Sequence, residues 1–379
     1  MHRIIRSRSK LVNVLANSQR YFNYQKNIYT TNLKVDESTL RNELNELNQF
    51  RIEQPNLYRF IKAYQQHGHK QANVNPLNTK SETTIAELNP ANYGLTDSNS
   101  YSTQGLLFGS NSNMSLNEIE LYLKKVYSDK MTIEFDHLLS EEEKHWISKE
   151  FEEMQAKQID KETKIELAKL LLKSQTFDLF LGLKFSNFKR YSNEGSESSM
   201  AFYYSLFSHS AQSDIEQLVM GIAHRGRLNL ITCLLNFDPR LLFTKIKGKS
   251  EFSEDVLDLA TGDIAHHFPV STDLKFNNKN IHINLMLNPS HLEAVDPLVL
   301  GKARSKQMHL KDCMYADQPS LQSKKVSSFL VHGDGAFAGQ GIVSETFQAY
   351  QLPNYSVGGT VHLITNNQIG FTAPSNLGR

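Results

Sequence analysis

Two short polar clusters, each placed directly after an apolar run, constrain the fold of this chain more than any other feature. Gly333-Asp334-Gly335 follows the apolar residues 329–331, and Asn366-Asn367 follows the apolar residues 361–364. Apolar side chains at helical spacing lie between them, at residues 343–350. A strand, a helix and a second strand in this order predict a right-handed crossover between neighbouring parallel strands. The crossover places both polar clusters at the carboxyl edge of one sheet, where open α/β sheets bind ligands.

The residue types in the two clusters point to a metal-bridged phosphate. The Asp334 carboxylate and the Asn367 carboxamide offer oxygen ligands to a hard divalent cation, which commonly keeps substrate phosphates among its other ligands. The glycines beside Asp334, including Gly335, let backbone amides approach a phosphate closely. Either cluster alone would fit an ordinary turn, whereas the pair at this spacing favours a metal site.

A dinucleotide-binding turn is the main alternative, because residues 333–338 fit the pattern G-x-G-x-x-A after a strand. An aspartate inside that turn would repel a pyrophosphate unless a metal ion lay between them. A dinucleotide site also needs an acidic residue after the second strand for the ribose hydroxyls, and residues 365–367 are Thr-Asn-Asn. The sequence therefore favours the metal-bridged diphosphate over the dinucleotide.

The charge of the chain is unevenly distributed, although its formal net charge is only +1. Residues 1–35 contain seven basic residues and no acidic one, with serines and aliphatic residues interspersed. This composition predicts a mitochondrial targeting segment at residues 1–34 and a location in the mitochondrial matrix. A basic tail that touches nucleic acid or lipid is the alternative. The remaining residues are net acidic, which argues against nucleic acid as a partner.

The rest of the composition narrows the class of protein. No apolar run approaches the roughly 18 residues that a membrane span requires. Only two cysteines occur, which excludes a disulfide framework and fits a reducing compartment. We expect a mainly helical region at residues 35–170, followed by an α/β domain with a parallel sheet at residues 171–379. The helical patterns cover residues 40–61, 116–127, 140–157 (opened by a capping box at Ser140) and 161–173.

A histidine and two arginines follow the buried-strand pattern of residues 218–223, in the order His224-Arg225-Gly226-Arg227. Arginine binds phosphate and carboxylate groups with two hydrogen bonds, so a strand-to-helix turn with two arginines suits an anion. Alternatively, both arginines are surface charges and His224 is an ordinary loop residue. The residues alone leave the two interpretations open.

Two more turns carry histidines. Residues 288–293 follow the alternating apolar residues 281–287, and residues 261–267 end in His266-His267 ahead of Ser271. Neutral histidine can hydrogen-bond a carbonyl or transfer a proton, and protonated histidine can pair with a carboxylate. Together with the anion site, these turns predict a pocket for a 2-oxo acid. Zinc at the paired histidines is a weaker alternative, because no cysteine or Glu-x-x-His spacing supports it.

Several segments resemble the first, decarboxylating component of 2-oxoglutarate dehydrogenase complexes. They are GIAHRGRLN, TGDIAHH, NPSHLEAVDP, HGDGAFAGQGIVSETF and GGTVHLITNNQIGFT, and the resemblance extends over roughly residues 55–379. The GDG and NN clusters are similar to the thiamine-diphosphate motif of that family, which implies thiamine diphosphate and Mg²⁺ as cofactors. In the family an aspartate, an asparagine and a backbone carbonyl hold the metal, and these correspond to Asp334, Asn367 and Ile369.

The resemblance also implies roles for residues outside the metal site. Arg225 and Gly335 correspond to residues near the cofactor, and His224 and His267 correspond to catalytic residues of the substrate pocket. Ser271 and His291 correspond to residues that bind the substrate.

Residues 174–198 look more like the 2-oxoadipate dehydrogenase branch of the family. Phe180 stands where bacterial oxoglutarate enzymes have a tyrosine near the substrate, and we expect it to bind the substrate here. Loss of that hydroxyl would make room for a diacid that is one methylene longer. A methylene contributes only about 1–3 kcal/mol to discrimination, so use of both 2-oxoadipate and 2-oxoglutarate is expected. Phe180 as an ordinary core residue remains the alternative.

The resemblance implies partners as well. These are a lipoyl-bearing dihydrolipoamide acyltransferase and a dihydrolipoamide dehydrogenase in a multienzyme complex, together with a second copy of the full-length chain in a homodimer. Family members continue beyond the NN motif into a pyrimidine-binding domain, whose glutamate acts on the aminopyrimidine ring of the neighbouring subunit. No residue of this chain corresponds to that glutamate. We therefore expect a helical N-terminal region and the diphosphate-binding half of an α/β enzyme, or a non-catalytic fragment that only binds partners or cofactor.

Overall fold

A computed structural model describes residues 37–74, 84–97, 99–250, 252, 254–256, 263–350, 352 and 354–367. The predicted targeting segment and the predicted ligand Ile369 lie outside the described residues. Contacts within the chain divide it into two compact units, Met1–Asp160 and Lys161–Arg379. In the part of the chain that the structure describes, no helix combines the length and apolar character that crossing a membrane requires.

The first unit is built from helices with a short two-stranded sheet. Its helices are α1 (Glu37–Glu53), α2 (Pro55–His67), α3 (Leu116–Tyr127) and α4 (Glu141–Ala156), and its antiparallel strands are β1 (Ser100–Ser102) and β2 (Asn113–Ser115). In α2, the buried side chains of Leu57, Phe60, Ile61 and Tyr64 recur at the spacing that forms one helix face. They share a core with the buried face of α3.

Serine residues fix the starts of two of these helices. Ser115 forms a reciprocal capping box with Glu118: the Glu118 amide donates to Ser115 Oγ, and the Ser115 amide donates to the Glu118 carboxylate at 2.8 Å. At Ser140 the hydroxyl oxygen accepts the Glu143 amide at 3.2 Å, as an N-cap does, but the hydroxyl donates to Glu142. The predicted N-terminus of α4 is therefore confirmed, with a simple cap in place of the predicted capping box.

The second unit is an α/β fold. Its helices are α5 (Lys161–Lys184), α6 (Ser198–Gln212), α7 (Arg227–Asn229, continued by a π-turn at Leu230–Leu234), α8 (Pro239–Ile246), α9 (Asp296–Leu310), α10 (Asp334–Gly339) and α11 (Gly341–Gln348). Its strands are β3 (Gln217–Ile222), β4 (Val270–Phe276), β5 (Lys279–Leu285), β6 (Val326–Gly333) and β7 (Thr360–Thr365).

The strands form one mixed sheet in the order β4-β5-β3-β6-β7. The strands β5, β3, β6 and β7 run parallel, as predicted, whereas the edge strand β4 pairs antiparallel with β5. The strands before the two polar clusters are direct neighbours, with Gly333 opposite Thr365. Asp334 and Asn366-Asn367 therefore leave the sheet side by side at its carboxyl edge, as the predicted crossover requires.

Helices cover both faces of the central strands, which explains why β3 reads as a continuous apolar run. Phe207 of α6 shares a core with Leu218 and Met220 on one face. Val299 of α9 shares a second core with Val219 on the other face. A Cβ atom at Gly221 would lie 2.9 Å from the Val299 side chain, so the glycine lets α9 approach the strand closely.

Candidate cofactor and substrate site

Asp334, Asn367 and Arg225 meet at the carboxyl edge of the sheet. The Asn367 backbone amide donates to Asp334 Oδ1 at 3.2 Å. In the orientation of the Asn367 side chain that satisfies hydrogen bonding, Nδ2 donates to Asp334 Oδ1 at 3.1 Å and Oδ1 accepts from Arg225 Nη2 at 3.3 Å. Three strand ends, those of β3, β6 and β7, thus deliver one cation, one carboxylate and one carboxamide to the same place.

This donor set fits a divalent cation. When the side-chain carboxamide of Asn367 is rotated by 180°, its oxygen takes the place of Nδ2 and lies 3.1 Å from Asp334 Oδ1. Neither of these two oxygens can then donate a hydrogen bond to the other. Two oxygens at right angles around Mg²⁺, each about 2.1 Å from the ion, are about 3 Å apart. Among the described residues, no heavy atom outside the neighbouring backbone lies within 4 Å of a Cβ atom built at Gly333 or Gly335, so these residues leave space for a phosphate beside the carboxylate.

A cluster of histidines begins one residue before Arg225. The His224 ring lies 5.8 Å from the His267 ring and stacks on Tyr191 at a centroid distance of 5.0 Å. His266 contacts the edge of Tyr191 at 4.8 Å and stacks on Phe188 at 5.0 Å. The structure thus brings together the two histidines that were predicted to be catalytic.

Hydrogen bonds hold His267 in one orientation. Its Nδ1 lies 2.8 Å from Asp263 Oδ2, and its Nε2 lies 3.3 Å from Ser290 Oγ. A carboxylate at Nδ1 favours the tautomer that donates from Nδ1, which leaves the lone pair of Nε2 directed toward Ser290. Ser290 belongs to the turn after β5, so this bond joins two of the three histidine-bearing turns.

Burial keeps two of the histidines neutral. Burial lowers the pKa of His224, and the neighbouring His267 and Arg227 lower it further. Burial lowers the pKa of His266 to about 4. The Nε2 atom of His266 is buried and has no hydrogen-bond partner among the described residues. At neutral pH both rings are therefore uncharged hydrogen-bonding groups.

Tyr191 and His266 are members of the cluster that the sequence did not identify. Tyr191 entered only through a likeness to one family branch, and His266 only as a weak zinc candidate. The adjacent His266-His267 pair was a usable signal, because both residues lie in a short helical turn, Ala265–His267, and both are buried. Tyr191 could not be found by spacing, because it lies in a separate loop, far from the histidines in the sequence. Its φ in that loop is 46°.

Arg227 has neither of the roles that the sequence suggested. It is neither an anion-binding nor a surface residue, because its side chain is 0% exposed and donates to three backbone carbonyls. The acceptors belong to Ile222, Phe268 and Met286, at distances of 2.6–2.8 Å. These residues flank the turns that carry His224, His267 and Ser290, so Arg227 fixes the three turns relative to one another.

The remaining predicted site residues have other surroundings. Ser271 lies 2.9 Å from Nε2 of His282, whose Nδ1 lies 2.7 Å from Asp273. Phe180 is 42% exposed, and its described ring contacts are with Phe185 and Phe243. His291 is exposed and follows Ser290 directly. Substrate roles for Ser271, Phe180 and His291 stay predictions.

Comparison with known proteins agrees with this geometry. Residues 219–379 match the family described as dehydrogenase E1 component. The chain is 44% identical over 327 residues to the human 2-oxoadipate dehydrogenase complex component E1, which covers 85% of this chain and 35% of the relative. It is 42% identical over 330 residues to the same component of Danio rerio, with the same coverage.

A third relative is the mitochondrial 2-oxoglutarate dehydrogenase of Dictyostelium discoideum, 36% identical over 326 residues, which are 82% of this chain and 31% of that protein. The chain thus spans about a third of the length of the curated relatives that it matches. The similarity to the dehydrogenase E1 component family extends over residues 219–379 of this chain.

Proposed function

We propose that this chain supplies the metal- and diphosphate-binding part, together with the histidine pocket, of an E1 component that decarboxylates a 2-oxo diacid. The candidate substrates are 2-oxoadipate and 2-oxoglutarate, on which the matched relatives are named to act. The observation that carries the proposal is the meeting of Asp334, Asn367 and Arg225 at three adjacent strand ends. His224, next to Arg225 in the chain, joins this corner to the histidine cluster.

At the metal corner, Asp334 and Asn367 would hold Mg²⁺ through side-chain oxygens, with the Ile369 carbonyl as the third predicted ligand. The Arg225 guanidinium is exposed and would pair with the negative charge of a diphosphate. Thiamine diphosphate, when bound, supplies the carbanion and the electron sink for loss of CO₂. The share of the protein is to hold the diphosphate and the substrate in register.

In the substrate pocket, neutral His224 can hydrogen-bond the keto oxygen or a carboxylic group of the diacid without introducing a buried charge. His267, oriented by Asp263, can accept a proton at Nε2 and then pair with a carboxylate. We expect discrimination between the two diacids to be modest, about 1–3 kcal/mol for one methylene.

The whole assembly is part of the same proposal. The acyl group would pass to lipoamide on a dihydrolipoamide acyltransferase, which would transfer it onward to an acceptor thiol. A dihydrolipoamide dehydrogenase would then reoxidise the free dihydrolipoamide. The full-length protein would act as a homodimer in the mitochondrial matrix. The names of two relatives, which are complex components, support the proposal of a multienzyme complex, and the name of a third supports the mitochondrial location. The homodimer and the matrix location remain proposals.

The test is binding of thiamine diphosphate to the 379-residue chain, measured by calorimetry with Mg²⁺ and again with excess EDTA. We expect binding that EDTA abolishes, and we expect Asp334→Ala to abolish it as well. Asp317→Ala removes an exposed carboxylate in the same unit and serves as the matched control, which should bind normally. Undiminished affinity in Asp334→Ala would refute the metal assignment. Tight binding of NAD that EDTA does not affect would favour the dinucleotide alternative.

A further inference from the structure

A buried hydrogen-bonded triad is formed by Glu293, His332 and His362, close to the proposed metal ligands in the sequence of β6 and β7. Glu293 Oε2 lies 2.5 Å from Nδ1 of His332, and Nε2 of His332 lies 2.8 Å from Nδ1 of His362. The side chains of His332 and Glu293 are 0% and 4% exposed. None of the roles proposed above for cofactor or substrate residues involves this triad.

The two hydrogen bonds of the triad have the same direction, with each donor pointing toward Glu293. Burial, and after it the neighbouring His332, lowers the pKa of His362 to about 4, so this ring is neutral at neutral pH. A carboxylate beside Nδ1 of His332 makes that nitrogen the donor, which leaves Nε2 to accept the proton of His362 Nδ1. Each ring then donates toward Glu293, and its carboxylate orders both tautomers.

A second acid, Asp296, lies beside Glu293 and His332. Asp296 is 1% exposed, and its Oδ2 lies 4.0 Å from Nδ1 of His332 with no hydrogen-bond partner among the described residues. Burial and the adjacent Glu293 raise the pKa of Asp296 to about 8, so at neutral pH it is an uncharged acid. Asp296 therefore adds no negative charge beside His332, and Glu293 is the acid at hydrogen-bonding distance from that ring.

The triad joins the elements that carry the candidate site. His332 lies in β6 just before Gly333-Asp334, and His362 lies in β7, which leads to Asn367. Glu293 ends the turn in which Ser290 contacts His267. The spacing between the two metal-bearing strand ends and their link to the histidine pocket thus depend on one carboxylate.

We propose that Glu293 is a positioning residue for the candidate cofactor site, which acts through His332 and His362 to fix the separation of Asp334 and Asn367. The inference rests on the proposed metal site and extends it to a residue outside the Asp334 and Asn367 donor set. Substitution of a residue that orients metal ligands without binding the metal typically changes metal affinity by about ten- to hundredfold.

Packing alone does not account for this arrangement. Glu293 has a φ of 67°, in the left-handed region, which is unfavourable for a residue other than glycine. Its carboxylate is also removed from water, which is costly unless the group is well bonded. The hydrogen bond to His332 Nδ1 offsets these costs, and through His332 it orders both histidines.

The test measures Mn²⁺ affinity in the presence of thiamine diphosphate, by electron paramagnetic resonance on the 379-residue chain. We expect Glu293→Ala to weaken Mn²⁺ binding about tenfold or more and to alter the spectrum of the bound ion. Glu293→Gln keeps the length of the side chain and an acceptor for His332, so it should recover part of the affinity. Glu345→Gln removes an exposed carboxylate from α11 and is the matched control.

A double-mutant cycle tests the route of the effect. His362→Phe removes Nδ1 while it keeps a ring that can stack on Phe347, which His362 contacts at 4.8 Å. If Glu293 acts through the histidines, the double variant should bind Mn²⁺ about as tightly as the weaker-binding of the two single variants. Additive losses of affinity would contradict this route.

The remaining outcomes separate the two proposals. Failure of the unaltered chain to bind Mn²⁺ would overturn the proposed metal site and this inference with it. Normal Mn²⁺ binding in folded Glu293→Ala would overturn only the positioning role. If Glu293→Ala does not fold, the comparison of Glu293→Gln with the unaltered chain decides, and equal affinity and spectra would refute the role.

Discussion

The helical unit and the sheet unit each bury a charged side chain, and they accommodate the charge in different ways. Glu152 in the helical unit is 0% exposed and accepts hydrogen bonds from the Phe108 amide and the Tyr127 hydroxyl. Arg227 in the sheet unit is also 0% exposed and donates to three backbone carbonyls. Burial raises the pKa of Glu152 to about 7 and lowers the pKa of Arg227 to about 9.

The difference shows how the ordinary pKa of a group decides what its burial can do. The guanidinium starts from so high a value that burial still leaves it charged near neutral pH, so its contacts persist. The carboxylate is brought into the physiological range, so its charge depends on pH. A buried arginine can therefore serve as a permanent structural tie, whereas a buried glutamate makes stability depend on pH.

Removal of the arginine should have the largest effect. Arg227→Met leaves three buried carbonyls without a donor, at about 1–3 kcal/mol each, so we expect a loss of about 3 kcal/mol or more in the free energy of unfolding. Hydrogen exchange of peptides from β3 and β5, measured by mass spectrometry, would show faster exchange in the variant.

The control for this prediction is Arg240→Met, which changes the same residue types at an exposed position that pairs with Asp238. We expect it to leave exchange in β3 and β5 nearly unchanged. Equal protection in Arg227→Met and Arg240→Met would show that the three carbonyl contacts do not stabilise the sheet unit.

The glutamate should produce an effect that depends on pH. Glu152 has a pKa of about 7 in the folded protein and an ordinary value of 4.5. Between these values the folded state binds a proton at Glu152 that the unfolded chain has released, so the contribution of Glu152 to the free energy of unfolding falls as pH rises from 4.5 to 7. The decrease due to Glu152 is on the order of 3 kcal/mol, and this contribution is constant above that range.

Denaturant unfolding at a series of pH values, followed by fluorescence of Trp146, measures this effect, because Trp146 is the single tryptophan and lies in α4 with Glu152. Glu152→Gln should remove most of the decrease, whereas Glu150→Gln, at an exposed position of the same helix, should retain it. A decrease that persists unchanged in Glu152→Gln would assign it to other groups.

The turn that delivers Arg227 allows a smaller test. Gly226 has a φ of +70°, and a Cβ atom there would lie 2.5 Å from Asn193 Oδ1, so Gly226→Ala should cost about 1–2 kcal/mol or more. Gly301 lies inside α9, and outside the backbone of that helix no heavy atom of the described residues lies within 4 Å of its Cβ position, so Gly301→Ala should stabilise the protein by about 0.5–1 kcal/mol. Chemical denaturation of the two variants should show opposite shifts, and shifts of the same sign would contradict the prediction.

The sequence predicted those parts of the fold that depend on local pattern. Apolar runs located β3, β5, β6 and β7, and the order of elements between Asp334 and Asn367 made these strands neighbours. The meeting of the two side chains follows from that topology, because parallel strands share one carboxyl edge. The helix predicted at residues 116–127 has the same bounds in the structure.

Features that depend on distant segments were not predicted. The helix expected to end at residue 173 continues to Lys184 as α5, because its polar residues Ser174 and Asp178 are buried against Asn229. Arg227 resembled an anion-binding residue, since nothing in its neighbourhood of the sequence reveals carbonyl acceptors that lie up to 59 residues away. The antiparallel pairing of β4 with β5 was also not predicted. The sequence pattern located β5, but residues 270–276 were considered only for the possible role of Ser271 and not as a strand.

The contacts of Arg227 also determine how variation at these positions should behave. Its acceptors are main-chain oxygens, which every amino acid provides, so the residue types at positions 222, 268 and 286 can change without loss of the hydrogen bonds. Lysine cannot replace the arginine, because one ammonium group does not reproduce the planar fork of donors. In a saturation mutagenesis experiment, position 227 should therefore tolerate almost no substitution while its three contact positions tolerate many. Statistical coupling between residue types would not detect the contact.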